Sequence, residues 1–241
     1  MEMIMYAAAA MAFAPTLILM YAVLRKYTYP AVEQPFFSDP TFFKLFVVGI
    51  IIGTLLFAFY TWLNWTNMIY AILFSAIQCL AMVSVMNLKK FHGKSDSVFY
   101  GYSLGLGIGC TMAFGTIYYL GTAIIGSENG AVDVSGFIWL FVIALSYILV
   151  LSAIGTTVGE GVARLRPMEF TVQTIFMNIV FGLVLVAAYN NTSDGIIFYV
   201  CLAVALAVAA VFFYYTMYVK LSRVVRDVLR IEGKSRKDVP K

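Results

Sequence analysis

Hydrophobic residues along this chain fall into long runs that short polar segments separate. Seven of the runs are long enough to cross a membrane as helices, which takes roughly 20 mostly apolar residues. They predict spans at Ile4–Leu24, Phe43–Leu63, Met68–Leu88, Val98–Ile125, Phe137–Val158, Phe170–Tyr189 and Gly195–Val219. The pattern therefore predicts an all-α, polytopic transmembrane bundle of about seven helices.

The composition supports the same class, because 62% of the 241 residues are hydrophobic and only 12% are charged. The first run has no basic leader, contains Pro15 and is followed directly by Arg25, so we predict a retained helix and not a cleaved signal peptide. Cys79, Cys110 and Cys201 all lie inside apolar runs. Neither a disulfide framework nor a cysteine metal site is therefore expected.

The basic residues are distributed asymmetrically. All 16 Lys and Arg fall in the loops after the first, third and fifth runs or in the tail, while the N-terminus and the other loops have none. Positive charge collects on the cytoplasmic side of membrane proteins. The sequence therefore predicts a multi-pass cell-membrane protein with its N-terminus outside and its C-terminus in the cytoplasm.

The chain is predicted to divide into a transmembrane domain, residues 1–219, and a cytoplasmic basic amphipathic helix with a tail, residues 220–241. The apolar positions of this helix share one side: Leu221, Val224, Val225, Val228 and Leu229. We expect an interfacial or protein-docking helix there, followed by a solvated end after Gly233. The lipid bilayer is the predicted partner of this charge, and no nucleic-acid binding is expected.

Two predicted outer loops carry acceptor tripeptides for N-glycosylation. One begins at Asn64, and two overlapping ones begin at Asn190 and Asn191. Their position on the outer side is compatible with modification.

The segment from Asp96 to Gly115 is rich in glycine and could be mistaken for a phosphate loop. A phosphate loop needs a strand before it, and here the glycines lie inside an apolar run. Gly101, Gly105 and Gly109 are spaced by four and line one face of a helix, as Gly155 and Gly159 do on the fifth run. This spacing predicts close helix–helix packing.

Four segments together resemble a known family: "YAVLRKYTYPAVEQPFFSDPTFFKLFVVGIIIG", "SDSVFYGYSLGLGIG", "SYILVLSAIGTTVGEGVAR" and "TIFMNIVFG". In their order along nearly the whole chain they resemble the PrsW-like intramembrane proteases, relatives of the CAAX-processing and bacteriocin-immunity membrane proteins. Glu33, Gln34 and Pro35 stand at the family's Glu-x-Pro element. The resemblance implies a PrsW-like fold.

The resemblance also implies catalytic residues that this chain does not have. The family uses a Glu–Glu pair, a further Glu after the glycine segment and histidines on later helices. At these positions the chain has Gln78 and Cys79, Met112, Tyr147 and Thr174, and only Asn178 is retained. The resemblance therefore implies a degenerate member, a pseudoprotease.

An independent reading of the residues also argues against catalysis. No ionisable side chain lies well inside the seven runs; Glu160 and Glu169 fall at a cytoplasmic end, and the lone His92 is in a basic loop. Hydrolysis at membrane depth then has no acid or base. We expect no enzymatic activity, no metal and no cofactor.

The polar residues inside the runs are neutral and are expected mainly to hydrogen-bond between helices. A polar cleft is predicted at Gln78, Cys79, Met112, Tyr147, Thr174 and Asn178. The leading hypothesis is a non-catalytic protein that binds a membrane segment or lipid there, or acts as a subunit of a membrane complex or a homo-oligomer. The alternatives are a transporter or channel for a neutral solute, and a PrsW-type protease with displaced catalytic residues.

Overall fold

A computed structural model describes residues 2–62, 67–126, 134–192, 195–233, 236 and 238–240. Within these ranges the chain forms helices and no strand. The helices are α1 (Glu2–Leu24), α2 (Asp39–Trp62), α3 (Met68–Met86), α4 (Ser97–Ile125), α5 (Val134–Ala163), α6 (Pro167–Asn190), α7 (Gly195–Tyr214) and α8 (Leu221–Ile231). Seven segments are long and apolar enough to cross a membrane, which confirms the predicted all-α, multi-pass class. The orientation of the bundle stays a prediction.

The helix boundaries follow local signals in the sequence. Pro167 stands at the start of α6, where its missing N–H costs no hydrogen bond. Asn67 precedes α3 and caps it, because its Oδ1 accepts a hydrogen bond of 2.8 Å from the backbone N–H of Ile69. A short 3₁₀ turn, Lys89–Phe91, links α3 to α4, and a π-helical turn, Tyr215–Lys220, joins α7 to α8.

The centre of the bundle is the pair α4 and α5, which share the most extensive interface in the molecule. On α4 every residue from 97 to 110 is buried, and on α5 every residue from 146 to 163 is buried. Helices α1 and α2 cover α4, whereas α6 and α7 cover α5. Helix α3 packs mainly against α6 and touches α2 at few positions.

The glycine face of α4 lies against the glycine face of α5. A Cβ added at Gly101 would overlap the backbone oxygen of Gly155, and one added at Gly155 would overlap the backbone oxygen of Gly101. At Gly105 and Gly159 an added Cβ would likewise overlap a backbone oxygen of the facing helix, and at Gly109 it would lie 3.0 Å from the Cα of Ile148. The two backbones thus approach so closely that only glycine fits at these positions.

A second glycine contact joins α2 to the opposite side of α4. A Cβ added at Gly49 would lie 2.5 Å from the backbone oxygen of Leu104, and Gly107 faces the backbone of Phe46. The hydroxyl of Ser103 adds a hydrogen bond of 2.5 Å to the backbone oxygen of Phe42. Helix α4 is therefore held on both sides by backbone-to-backbone contact.

Every Lys and Arg that the structure describes lies at one end of the bundle, called here the basic end. Helix α8 packs on this end with its apolar side inward, since Val225 and Val228 are fully buried. The hydroxyls of Ser222 in α8 and Tyr27 in the α1–α2 loop are 3.0 Å apart. The amphipathic side that the sequence predicts for docking is thus covered by the chain itself.

The tail beyond α8 differs from the predicted solvated end. Arg236 donates a hydrogen bond of 2.6 Å to the backbone oxygen of Gln34, and its guanidinium lies 3.9 Å from the ring centroid of Phe36. Asp238 pairs with the same guanidinium at 2.6 Å, and this hydrogen bond lowers the pKa of Asp238. A guanidinium group can stack on an aromatic ring and donate hydrogen bonds from its own edge at the same time. The charge of the tail alone does not predict such a contact.

Candidate functional site

A hydrogen-bonded polar cluster joins α3 to α6 inside the bundle. The Nδ2 group of Asn178 on α6 donates to Oε1 of Gln78 at 2.9 Å and to the backbone oxygen of Ser75 at 3.0 Å. In return, the hydroxyl of Ser75 donates to the backbone oxygen of Asn178 at 3.2 Å. All three side chains are at most 3% exposed. The cluster stabilises the α3–α6 contact through buried side-chain and backbone groups.

One polar atom of this cluster is left without a partner in the described part of the chain. Nε2 of Gln78 is buried and makes no hydrogen bond, although Oε1 of the same amide is used by Asn178. A buried amide donor that stays unpaired costs about 1–3 kcal/mol. The site is therefore suited to receive a hydrogen-bond acceptor.

A small cavity of about 30 Å³ lies beside this amide. Gln78 and Asn178 line it together with Tyr60, near the end of α2, and Tyr147 on α5. The hydroxyls of the two tyrosines hydrogen-bond to each other. Apolar residues close the remaining walls, among them Phe74 and Phe181. A water needs roughly 10–15 Å³ of such space and two to four polar partners, so one or two waters fit here.

The structure brings most of the predicted cleft together. Cys79 is fully buried and contacts Thr174 and Asn178, while Tyr147 faces the cavity from α5. The Thr174 hydroxyl bonds to the backbone oxygen of Thr171 in its own helix. Met112 is buried on α4 and does not line the cavity. Of the six predicted residues, Gln78, Tyr147 and Asn178 thus line the cavity, Cys79 and Thr174 adjoin it through the hydrogen bonds of Cys79 with Thr174 and Asn178, and Met112 does not line it.

The site lies deep within the membrane-spanning part of the chain. Gln78 is ten residues from the start of α3, which corresponds to about 15 Å along the helix axis. The hydrocarbon core of a bilayer is about 30 Å thick. Gln78 therefore lies about half-way along α3, whereas Tyr60 and Ala71 place the other side of the cavity near the helix ends opposite the basic end.

Sequence reasoning missed two residues of this site. Tyr60 belongs to an aromatic segment that reads as an interfacial belt, yet its hydroxyl turns inward to Tyr147. Ser75 was expected only as one of several neutral polar residues. Its spacing of three from Gln78, which places both on one face of α3, is the signal that could have grouped them.

Most other hydroxyls inside the spans do not join helices, contrary to the expectation. Ser84, Ser146 and Thr157 donate to backbone oxygens four residues earlier in their own helices, at 2.7–2.9 Å. Such back-bonding satisfies a hydroxyl without a neighbour. Interhelical bonds include those of Ser75 and Ser103, and that of Tyr102, which donates to the backbone oxygen of Leu19 at 3.0 Å.

A buried ionic cluster lies nearer the basic end. The sequence placed Glu160 at a helix end, but α5 continues past it to Ala163, and its side chain is only 4% exposed. Lys220 from the π-helical turn approaches it at 2.6 Å, and Arg164 one turn later approaches it at 2.9 Å. Arg164 also bridges to Asp227 of α8 at 3.0 Å. Because Lys220 and Arg164 both pair with this carboxylate, Glu160 has a structural role: it links α5 to the segment formed by α7, the π-helical turn and α8.

Two further predictions concern residues outside the predicted cleft. Asn64 lies outside the described residues, Asn190 ends α6 on the surface, and Asn191 follows it with its amide bonded to the backbone oxygen of Ala187 at 2.7 Å. Their glycosylation stays a prediction. His92 is paired with Asn87 at 2.9 Å in the exposed loop after α3.

The chemistry that this arrangement permits is hydrogen bonding. Amide and hydroxyl groups can hold a carbonyl oxygen or a water, and among the described residues that line the cavity none is a His, Asp, Glu or Lys that could act as a general acid or base. Among the described residues no three His, Cys, Asp or Glu side chains are grouped as metal ligands.

Fold and site together define a multi-pass helical membrane protein with a neutral polar site between α3, α5 and α6. Comparisons of the chain with protein-family models, with curated proteins and with solved structures found no match. The resemblance to PrsW-like proteases therefore stays a hypothesis that depends on the sequence segments alone.

Proposed function

We propose that this chain is a non-catalytic membrane protein that binds a transmembrane segment of another protein at the Gln78–Asn178 site. The observation that carries the proposal is the buried Nε2 of Gln78, which has no acceptor and belongs to a side chain that lines the cavity. A ligand that supplies an acceptor there removes the cost of the unpaired donor.

The position of Gln78, half-way along α3, favours a protein segment over a lipid as the source of the acceptor. Phospholipid ester oxygens lie at the edge of the hydrocarbon core, about 15 Å from its centre. A transmembrane helix that is interrupted by proline or glycine presents free backbone carbonyls at any depth, and these need a donor. Such a carbonyl is the acceptor that we propose for Gln78.

The position of α3 provides a route of entry. It packs mainly against α6, and its outer side exposes apolar residues such as Leu73 and Ile77 to the bilayer. A small displacement of α3 opens the cavity sideways without disturbing the α4–α5 interface. The PrsW-like resemblance is part of the same proposal, since residues at four of the family's catalytic positions (Gln78, Cys79, Tyr147 and Thr174) gather around Asn178 in this region.

Site-directed photo-crosslinking in native membranes tests the proposal. A photoreactive residue at Ala71, which lines the cavity, is expected to capture a discrete membrane protein, whereas one at the lipid-facing Leu73 captures lipid. Gln78→Leu should weaken the Ala71 adduct by roughly 2- to 10-fold, the worth of one hydrogen bond. Ser84→Ala is the matched control, because that hydroxyl is exposed and bonds only to its own helix.

Three outcomes would overturn this proposal. Lipid adducts alone at Ala71 would remove the protein partner. Cleavage of transmembrane peptides by the purified protein would refute the non-catalytic half and favour the displaced-residue protease. Flux of a neutral solute into proteoliposomes that is lost with Gln78→Leu would favour the transporter alternative.

A further inference from the structure

A large open groove lies at the basic end between the start of α2 and the 3₁₀ turn that follows α3. Its volume is about 830 Å³, and its walls are the first turns of α2 together with Lys90 from the 3₁₀ turn after α3. Small-molecule sites typically occupy about 300–1,000 Å³. The groove is therefore large enough for a lipid headgroup and the beginning of its acyl chains.

The charged residues that line the groove are all positive. Lys44 and Lys90 both line it, both are exposed, and no carboxylate is among the lining residues. Within the described part of the chain neither ammonium group forms an ion pair, although the Lys90 ammonium lies 4.6 Å from the centroid of the Phe91 ring. Two unpaired cations at the edge of an apolar groove favour an anionic group and repel the cationic end of a zwitterionic headgroup.

An apolar track leads from this groove along α2 towards the middle of the bundle. Phe43, Val47, Ile51 and Leu55 follow one another at intervals of four, and each is more than half exposed, between 53% and 67%. The track spans 12 residues, or about 18 Å, which suits an extended acyl chain. Since α2 and α3 touch at few positions, the chain itself leaves this side of α2 uncovered.

We propose that the groove binds an anionic phospholipid, with its phosphate between Lys44 and Lys90 and one acyl chain along the track from Phe43 to Leu55. This places the headgroup at the basic end, where anionic lipids of a cytoplasmic leaflet would lie if the predicted orientation holds. The site does not depend on the proposed partner segment, because it is formed by α2 and the 3₁₀ turn and shares no residue with the Gln78 cavity.

Native mass spectrometry of the full-length protein tests this inference. The protein is released from nanodiscs that contain equal amounts of phosphatidylglycerol and phosphatidylcholine, and the bound lipids are counted. We expect retention of phosphatidylglycerol in preference to phosphatidylcholine. The double variant Lys44→Gln/Lys90→Gln should retain it about 30-fold less, because each lysine near an anionic surface is worth about 1 kcal/mol and 1.4 kcal/mol is tenfold.

The matched control is Lys89→Gln/Lys94→Gln, which removes the same charge from exposed lysines outside the groove. A second variant, Val47→Trp, fills the groove at an exposed position and leaves both lysines in place; it should also reduce phosphatidylglycerol retention. If the groove variant and the control lose phosphatidylglycerol equally, net charge alone explains the effect and the proposed site is wrong. Equal retention of the two lipids by the unaltered protein would overturn it as well.

Discussion

Replacing Gly105 by alanine is the most direct test of the glycine interface between α4 and α5. The added Cβ would lie 3.0 Å from the Cα of Ser152 and would overlap the backbone oxygen of Leu151. Both are backbone atoms and cannot rotate away. To reach the 3.4 Å at which ordinary contact begins, the two helices must separate by about 1 Å, and that gap forfeits a quarter to a half of each dispersion contact nearby.

The magnitude follows from two opposing effects. Overpacking a well-packed interior costs about 1–3 kcal/mol, and this interface is the most extensive in the bundle, so the upper end applies. Alanine in place of a helical glycine contributes about 1 kcal/mol in the other direction. We therefore expect Gly105→Ala to lower the free energy of unfolding by about 2 kcal/mol.

Gly155 provides a sharper form of the same test, since an added Cβ there would lie 2.9 Å from the N and Cα atoms of Gly105. Once the first substitution has separated the helices, the second meets a gap that already exists. The double variant should therefore lose less stability than the sum of the two single variants.

Reversible unfolding in mixed micelles, followed by circular dichroism, measures all of these variants. Gly195→Ala is the control, because nothing lies within 4 Å of a Cβ added at the start of α7. It should leave stability unchanged or raise it slightly. A Gly105→Ala protein as stable as the unaltered one, or single effects that add in full, would refute close backbone contact as the cause.

Two further predictions concern charges at the basic end. Glu160→Gln should lower the free energy of unfolding by about 2–3 kcal/mol in the same assay, which is less than the 3–5 kcal/mol of a fully buried pair, because Lys220 and Arg164 are 22% and 26% exposed. Adding Lys220→Met should restore part of the loss. If the effects of the two substitutions simply add, the ion pair is contradicted. Burial raises the pKa of Asp96 above 3.8, so the stability linked to its protonation is complete below pH 3.8 and is lost as pH rises through the folded-state pKa. Asp96→Asn should therefore raise the melting temperature at pH 7 more than at pH 4, and an equal shift at both would contradict this sign.

The spans and the small-residue faces could be predicted because both depend on local pattern. Runs of apolar residues set the helices, and intervals of four set the faces of α4 and α5. The burial of Glu160 could not be predicted in this way, since a charged residue near the end of an apolar run reads as the end of a span. Its partner Lys220 comes from a turn sixty residues later, and only the packing of α7 on α5 brings the two charges to 2.6 Å.

The sequence could predict which residues belong to the central site, but not how their side chains are arranged. The sequence segments grouped Gln78, Tyr147 and Asn178, yet which atoms pair and which amide is left over depends on the crossing of α3 and α6. Met112 was grouped with them because it follows the glycine segment, but that part of α4 does not line the cavity. The position of a residue along a helix does not by itself show which neighbouring helix that residue contacts.

The two halves of the bundle are coupled through α5, which belongs to both. One face of α5 is fixed to α4 by glycine, and another carries Tyr147 to the cavity. Gly109 lies where these roles meet, because a Cβ there would be 3.2 Å from the backbone oxygen of Tyr147 itself. The close glycine contacts therefore do more than stabilise the fold: they fix the position from which Tyr147 enters the cavity that Gln78 also lines.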